Sequence, residues 1–292
     1  MSRRTGLESV PAPALVLIGI ASVQTGSAIA RTFFDVTGAA GMTLLRLAIA
    51  GVLLTAVVRP AFRSWGREQW TATLALGLTM GAMNLVFYLA IQTVPLGVAV
   101  TVEFIGPLLL AVSQTRRLRD LVWAALAGAG VALLGLQDGG SVPLRGLLLA
   151  LLAGLFWAGY IVSSARVGRA LPGLDGLAGA LLVGALLALP FGAAGAGRAV
   201  ADGWALLAGV GVALLSSVVP YACELTALRT MPTRVFGVLM SLEPAAAAVA
   251  GLLVLDQHLG GRELVALVLV SLASVGVTLG QRAERRAQPR HD

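Results

Sequence analysis

Lysine is absent from this 292-residue chain, and all 21 of its basic residues are arginine. A Schiff-base lysine and the lysine of a nucleotide-binding loop are therefore excluded, and with them direct use of ATP. The single cysteine, Cys223, has no partner for an internal disulfide, and the two histidines, His258 and His291, fall in a loop and in the tail. No zinc site, haem site or thiol pair can be built from that inventory, so no metal and no cofactor is expected. Charge is scarce as well. Asp, Glu and Arg make up 12% of the residues, against about a quarter in a soluble domain, which is too little polarity to coat a water-facing surface.

Hydrophobic residues, by contrast, make up 58% of the chain, and the mean hydropathy is +0.89. The chain reads as an all-α integral membrane protein. Apolar runs fall at 12–30, 40–58, 70–92, 96–114, 120–137, 144–165, 175–192, 203–227, 232–254 and 263–280. With roughly 20 residues needed per spanning helix, that predicts ten spans. Connections such as "TRRLRD" (115–120) and "QDGGS" (137–141) are short, and little is left for a soluble domain. The net charge of +7 would point to nucleic acid in a soluble protein. Here the arginines lie between apolar runs, so the expected partner is the lipid bilayer and no nucleic acid.

The arginines also orient the chain, because cytoplasmic loops carry the excess of positive charge. With a cytoplasmic N-terminus, sixteen arginines fall inside, while Arg31, Arg145, Arg198 and Arg262 fall outside and Arg46 lies within a span. Both termini are expected in the cytoplasm, which requires an even number of spans. "MSRR", an apolar stretch and the small-residue site "AIA" (28–30) also fit a cleavable signal peptide. Removing that segment would leave nine spans and place the arginines of the tail on the wrong side, so it is read as a span.

The two halves echo each other. "YLAIQTVPLGVAVTVEFIGP" (88–107) and "YACELTALRTMPTRVFGVLMSLEP" (221–244) each run from a tyrosine through a proline at a helix start to a glutamate in the next helix. Five spans per half is an odd number, so the second copy enters the membrane inverted relative to the first. The expected organisation is a five-helix repeat at 1–140, an inverted five-helix repeat at 141–281 and a basic cytoplasmic tail at 282–292. In secondary transporters built this way the substrate site lies near the midplane between the repeats.

Four charged residues fall inside the spans: Arg46, Glu103, Glu224 and Glu243. Each costs about 2.5–3.5 kcal/mol on insertion scales, so such residues face a bundle interior or pair with one another. Helical spacing gathers other polar groups beside them. Asn84, Tyr88 and Gln92 recur every four residues, while Trp157, Tyr160 and Ser164, and Ser217, Tyr221 and Glu224, follow a three-and-four rhythm that also keeps each set on one face. Prolines add freed backbone. Pro107 cannot donate to the carbonyl of Glu103, nor Pro220 to that of Ser216, nor Pro244 to that of Met240, and a polar cavity would satisfy those oxygens.

A cavity with one guanidinium and several carboxylates suits a zwitterion. Arg46 matches the carboxylate of an amino acid, Glu103 or Glu243 its ammonium, and Asn84, Gln24 or a tyrosine hydroxyl a short polar side chain. Tyr88, Trp157, Tyr160 and Tyr221 are further lining candidates. Desolvation disfavours the charged form of a carboxylate, which makes Glu103, Glu243 and Glu224 candidate proton carriers. For Glu224 two readings stand side by side, a proton group on the intake side or a partner of Arg229 at the interface.

"LRLAIAG" (45–51), "GAMNLVFYLAIQTVPLGVAVTVEFIGPL" (81–108), "FWAGYI" (156–161) and "ALRTMPTRVFGVLMSLEPAAAAVAG" (227–251) resemble the threonine/homoserine exporters of the EamA-type drug/metabolite transporter superfamily. The resemblance runs from about residue 13 to residue 280. It implies a ten-helix bacterial inner-membrane protein of two inverted repeats that exports small amino acids in exchange for protons by alternating access. The alternatives are export of another small metabolite or drug on the same scaffold, since fold does not fix substrate, and a membrane-embedded enzyme. The enzyme reading lacks its parts, because no His or Asp falls in mid-span to serve a nucleophile or a metal. The oligomeric state is open. "GLTMG" (77–81) has glycine spacing suited to close helix packing, within one chain or between two.

Overall fold

Proline and glycine set where the long apolar runs begin, break and touch. The structure is a computed structural model. It describes residues 10–114, 118–135 and 142–287, with the side chains at 118–120, 135, 225, 229, 233–234 and 280–287 outside that description. In chain order the helices are α1 (Ala12–Thr32), α2 (Phe34–Val58), α3 (Arg67–Ile91), α4 (Leu96–Glu103), α5 (Ile105–Ser113), α6 (Leu118–Gly135) and α7 (Leu144–Ala170). There follow α8 (Asp175–Asp202), α9 (Trp204–Ala213), α10 (Val219–Thr230), α11 (Thr233–Met240), α12 (Glu243–Leu255) and α13 (Gly261–Ala287). Strands are absent among the described residues. Paired end to end, α4 with α5, α9 with α10 and α11 with α12, these helices form ten rods.

Nine of the rods are long and apolar enough to cross a bilayer, among the described residues. The tenth is α6, whose apolar stretch covers only Leu121–Leu134, about 21 Å of helix against a hydrocarbon core of about 30 Å. The surface is that of a protein in lipid. Leu253 is 78% exposed and Val57 80%, while Glu103 and Glu243 are each 8% exposed. α1, the segment that also fits a signal peptide, packs against α10 and α12 as a wall of the bundle. α13 continues as helix to Ala287, into the segment read as a tail.

Three rods are interrupted where single kinked spans are expected. α4 starts at Leu96 behind Pro95 and α11 at Thr233 behind Pro232, each proline holding an extended ψ that a helix cannot extend back through. α4 ends at Glu103 and α5 begins at Ile105, since Pro107 has no N–H for the Glu103 carbonyl. Beyond α11, Ser241 and Leu242 form a turn, and Pro244 takes the first turn of α12, where a missing N–H costs nothing. Between α9 and α10 the wider π-turn Leu214–Val218 precedes Pro220, the kind of local unwinding that recurs at functional sites.

Helix pairing follows a pattern. α2 packs chiefly on α8, α6 on α13 and α4 on α12, while α3 pairs with α7 as α1 does with α10. Small residues carry the closest contacts. Gly77 and Gly81 of α3 meet α8 at Ala180, Val183 and Gly184, so this glycine spacing is used within the chain. At the break of the fourth rod, Gly154 of α7 lies against the carbonyl oxygen of Glu103 and against Gly106. The freed Glu103 carbonyl therefore meets a glycine of the neighbouring helix. A β-carbon on Gly106 would run into the Gly154 backbone, so Gly106→Ala is expected to destabilise the bundle by about 3 kcal/mol, the upper end of overpacking costs. Thermal melting in detergent checks this. Gly128→Ala, where a methyl meets open space, serves as the unchanged control.

Candidate functional site

The three interrupted rods and the middles of α1, α2, α3 and α7 surround one cavity of about 770 Å³ of unfilled space, its mouth included. α1 supplies Val23, Gln24 and Ser27, α2 Arg46, and α3 Met83, Asn84 and Phe87. The breaks supply Glu103, Met240 and Glu243, α7 supplies Trp157 and Tyr160, and the π-turn with α10 supplies Ser216, Pro220, Tyr221 and Glu224. All four charged residues picked out from the spans thus face one space. None of the three carboxylates lies within salt-bridge distance of Arg46 or of any other described cation, although Glu103 is within electrostatic reach of both Arg46 and Glu243. The charges are gathered and left apart.

Arg46 is held from behind. Its Nη2 donates to the Ser216 carbonyl at 2.6 Å and its Nε to Ser217 Oγ at 3.3 Å, and its guanidinium carbon sits 5.6 Å from the centre of the Tyr88 ring. The Ser216 carbonyl is the oxygen that Pro220 cannot serve, so the freed backbone fixes the cation instead of facing the cavity. The preceding carbonyl, of Leu215, accepts from Ser22 Oγ at 2.6 Å. The guanidinium has five N–H donors in a fixed fork, and those not directed at the π-turn or at the Tyr88 hydroxyl remain for a bound anion.

Tyr88 does not line the cavity. It is fully buried behind Arg46, with its hydroxyl 3.4 Å from Nη1 and its ring packed on Phe34. α3 is rotated so that Met83, Asn84 and Phe87 face inward, which turns Tyr88 toward α2, and Gln92 lies exposed at the helix end. Asn84 gives Nδ2 to the Met80 carbonyl at 2.8 Å, leaving Oδ1 uncommitted. Trp157 stands edge-on to Phe104, the residue at the α4–α5 break, with centroids 5.0 Å apart. Gln24 Oε1 and Ser216 Oγ are buried with no hydrogen-bond partner among the described residues. The pairing of Glu224 with Arg229 rests on a side chain outside the described residues. Ser22, Ser27, Met83, Phe87 and Met240 are additions to the candidates. Ser27, one helical turn from Gln24, was legible by spacing, while the apolar ones carry no signal in the sequence.

Polar ties join the helices at one end of the bundle. There Arg31 Nη1 donates to the Val94 carbonyl at 3.1 Å, Arg198 Nε to the Val36 carbonyl at 2.7 Å, and the Leu96 N–H to Gln257 Oε1 at 2.9 Å. Beneath these ties lies a cluster of buried apolar side chains that includes Phe34, Ile91, Val94 and Leu96.

The EamA-like transporter family matches residues 144–279. Over 92% of its length the chain is 44% identical to a Salmonella typhimurium protein named threonine/homoserine exporter RhtA, of which it covers 92%. The chain belongs to the EamA-like transporter family. The same identity holds over 93% of the chain against the Escherichia coli protein of that name, again covering 92% of the relative. A crystal structure 19% identical in sequence superposes with a TM-score of 0.59 over 94% of this chain and 99% of its own, which shows a shared fold. The molecule is accordingly a multi-pass membrane transporter of the drug/metabolite superfamily, and the cavity is its candidate substrate site.

Proposed function

We propose that the chain is a secondary exporter of small amino acids, threonine and homoserine among them, that moves its cargo out of the cytoplasm in exchange for protons. The observation that carries this reading is the cavity in which Arg46 and three carboxylates face one space without closing an ion pair. A zwitterion completes it. Its carboxylate takes the free donors of Arg46, its ammonium takes Glu103 or Glu243, and its hydroxyl takes Asn84 Oδ1 or the Gln24 amide. Kinship with proteins named as threonine/homoserine exporters favours that substrate class.

Proton exchange follows from competition for the same acids. The ammonium of the cargo occupies Glu103 or Glu243 when it is bound, and a proton takes that carboxylate when it has left. Alternation of the two loads on the same acids is antiport. The pairing of rods supports two inverted repeats, at 1–140 and 141–281. Most helix contacts recur when each rod is replaced by the one five places on, as with α3–α7 and α1–α10, and alternating access then rocks one repeat against the other. The arginine distribution supports cytoplasmic termini.

Inside-out vesicles carrying the protein test the reading. Labelled threonine or homoserine is expected to accumulate when the lumen is acid and to stop accumulating when a protonophore collapses the gradient. Failure to move any small amino acid under either condition would remove the exporter assignment.

A further inference from the structure

A second cavity, of about 630 Å³ of unfilled space with its opening included, adjoins the central one and shares Tyr160, Tyr221 and Glu224 with it. Its remaining polar group is Ser164, and its walls are Leu76, Val167, Leu177 and Leu228 of α3, α7, α8 and α10. Gly168 and Gly173, beside the turn that joins α7 to α8, form its far end. That turn carries Arg166 and Arg169 on its approach, which by the arginine distribution marks the cytoplasmic face. The opposite end of the bundle is the one tied by Arg31, Arg198 and Gln257. The second cavity therefore lies between the central one and the cytoplasmic face.

The lining has a sign. Among the described lining residues Glu224 is the only ionisable group of full charge, so they offer a carboxylate and three hydroxyls and no cation for an anion to meet. Arg46 belongs to the central cavity alone. The hydroxyls of Tyr160 and Tyr221 approach closely enough to interact, and Glu224 reaches both electrostatically. Tyr160 and Tyr221 line both chambers, as Glu224 does, so the two rings lie at the boundary between them. Behind the Tyr221 ring lies an apolar space of about 390 Å³ lined by Ala50, Leu54 and Leu181, which gives that ring somewhere to move.

We infer that the second cavity is a cytoplasmic antechamber, a binding site for the ammonium end of the incoming cargo in which Glu224 takes the primary amine before Arg46 takes the carboxylate. The inference rests on the exporter reading for the identity of the cargo, and on the cavity alone for its preference for cations. Glu224 keeps its hold on the ammonium while the two tyrosine rings move aside and the carboxylate swings to Arg46. The site accepts small primary amines that lack a carboxylate, such as threoninol, and these occupy the antechamber without being passed on.

Cysteine labelling reads this without transport. Cys223→Ala removes the native thiol, and Ser164→Cys, or Leu228→Cys at a second lining position, places one in the antechamber. In inside-out vesicles, rates of modification by a permanently cationic and by an anionic methanethiosulfonate are compared. The cationic reagent is expected to be favoured, and Glu224→Gln to lower the cation-to-anion rate ratio about tenfold, as local field focusing by one buried charge allows. Threoninol is expected to slow labelling in the protein that keeps Glu224. Absence of labelling at both positions, or a rate ratio that Glu224→Gln leaves unchanged, overturns the antechamber. A wild-type protein that moves no amino acid while its labelling behaves as expected overturns the exporter reading and leaves the cationic site standing.

Discussion

Arg46→Ala is expected to abolish measurable threonine transport while the protein still inserts and folds well enough to be purified. The side chain holds two things at once. Toward the π-turn it satisfies the Ser216 carbonyl at 2.6 Å and reaches Ser217. Toward the cavity its remaining donors are the only cationic ones among the lining residues. Removing one partner of a buried, hydrogen-bonded charge pair costs about 2–5 kcal/mol, so substrate affinity is expected to fall at least ~30-fold. Arg46→Lys separates the two roles. It keeps the positive charge and loses the planar fork that grips a carboxylate and the π-turn together, and it is expected to restore insertion fully and transport only in part. Binding of threonine and of threoninol, measured in nanodiscs, discriminates further. Arg46→Ala should weaken the amino acid far more than the amino alcohol, because only the first has a carboxylate to lose. Equal weakening of both would take the carboxylate away from Arg46.

Glu103→Gln and Glu243→Gln are expected to uncouple transport from the proton gradient. Each keeps the shape of the side chain and one accepting oxygen, and removes its charge and its ability to carry a proton. The two acids stand at two of the three interrupted rods, α4–α5 and α11–α12, and face each other's charge across the cavity. Either substitution removes one of the two carboxylates on which a proton and the ammonium of the cargo alternate. Gradient-driven accumulation in inside-out vesicles is expected to disappear, and exchange of labelled for unlabelled threonine across the membrane to persist. Accumulation that survives both single substitutions would move the proton to Glu224 or out of the cavity.

The acids and the arginine were legible in the sequence because lipid makes them so. A charged group among apolar residues is expensive enough that each one signals a purpose, and four such groups in ten runs were few enough to name. The prolines were legible for a similar reason, since a missing N–H at membrane depth must be answered somewhere. Where the answer comes from was not. Pro220 frees the Ser216 carbonyl, and Arg46 from another helix meets it. Pro107 frees the Glu103 carbonyl, and the bare backbone of Gly154 lies against it. Tyr88 shows the limit of periodicity. Its spacing from Asn84 places it on the same stripe, yet a rotation of α3 by a fraction of a turn sends it behind Arg46, where its ring supports the cation.

Hydropathy and arginine position, acting within single segments, determined from the chain alone that it is a multi-pass helical membrane protein, and they singled out the residues that lipid would not tolerate unaided. Which of those residues meet, that Arg46 and the three carboxylates share a space without neutralising one another, and that a second chamber adjoins it at Tyr160, Tyr221 and Glu224 were decided by tertiary structure only. The reason is that insertion is a cost each helix bears separately, whereas a cavity exists only where the surfaces of several helices, brought together by small-residue contacts such as Gly81 on Gly184 and Gly106 on Gly154, fail to fill the volume between them.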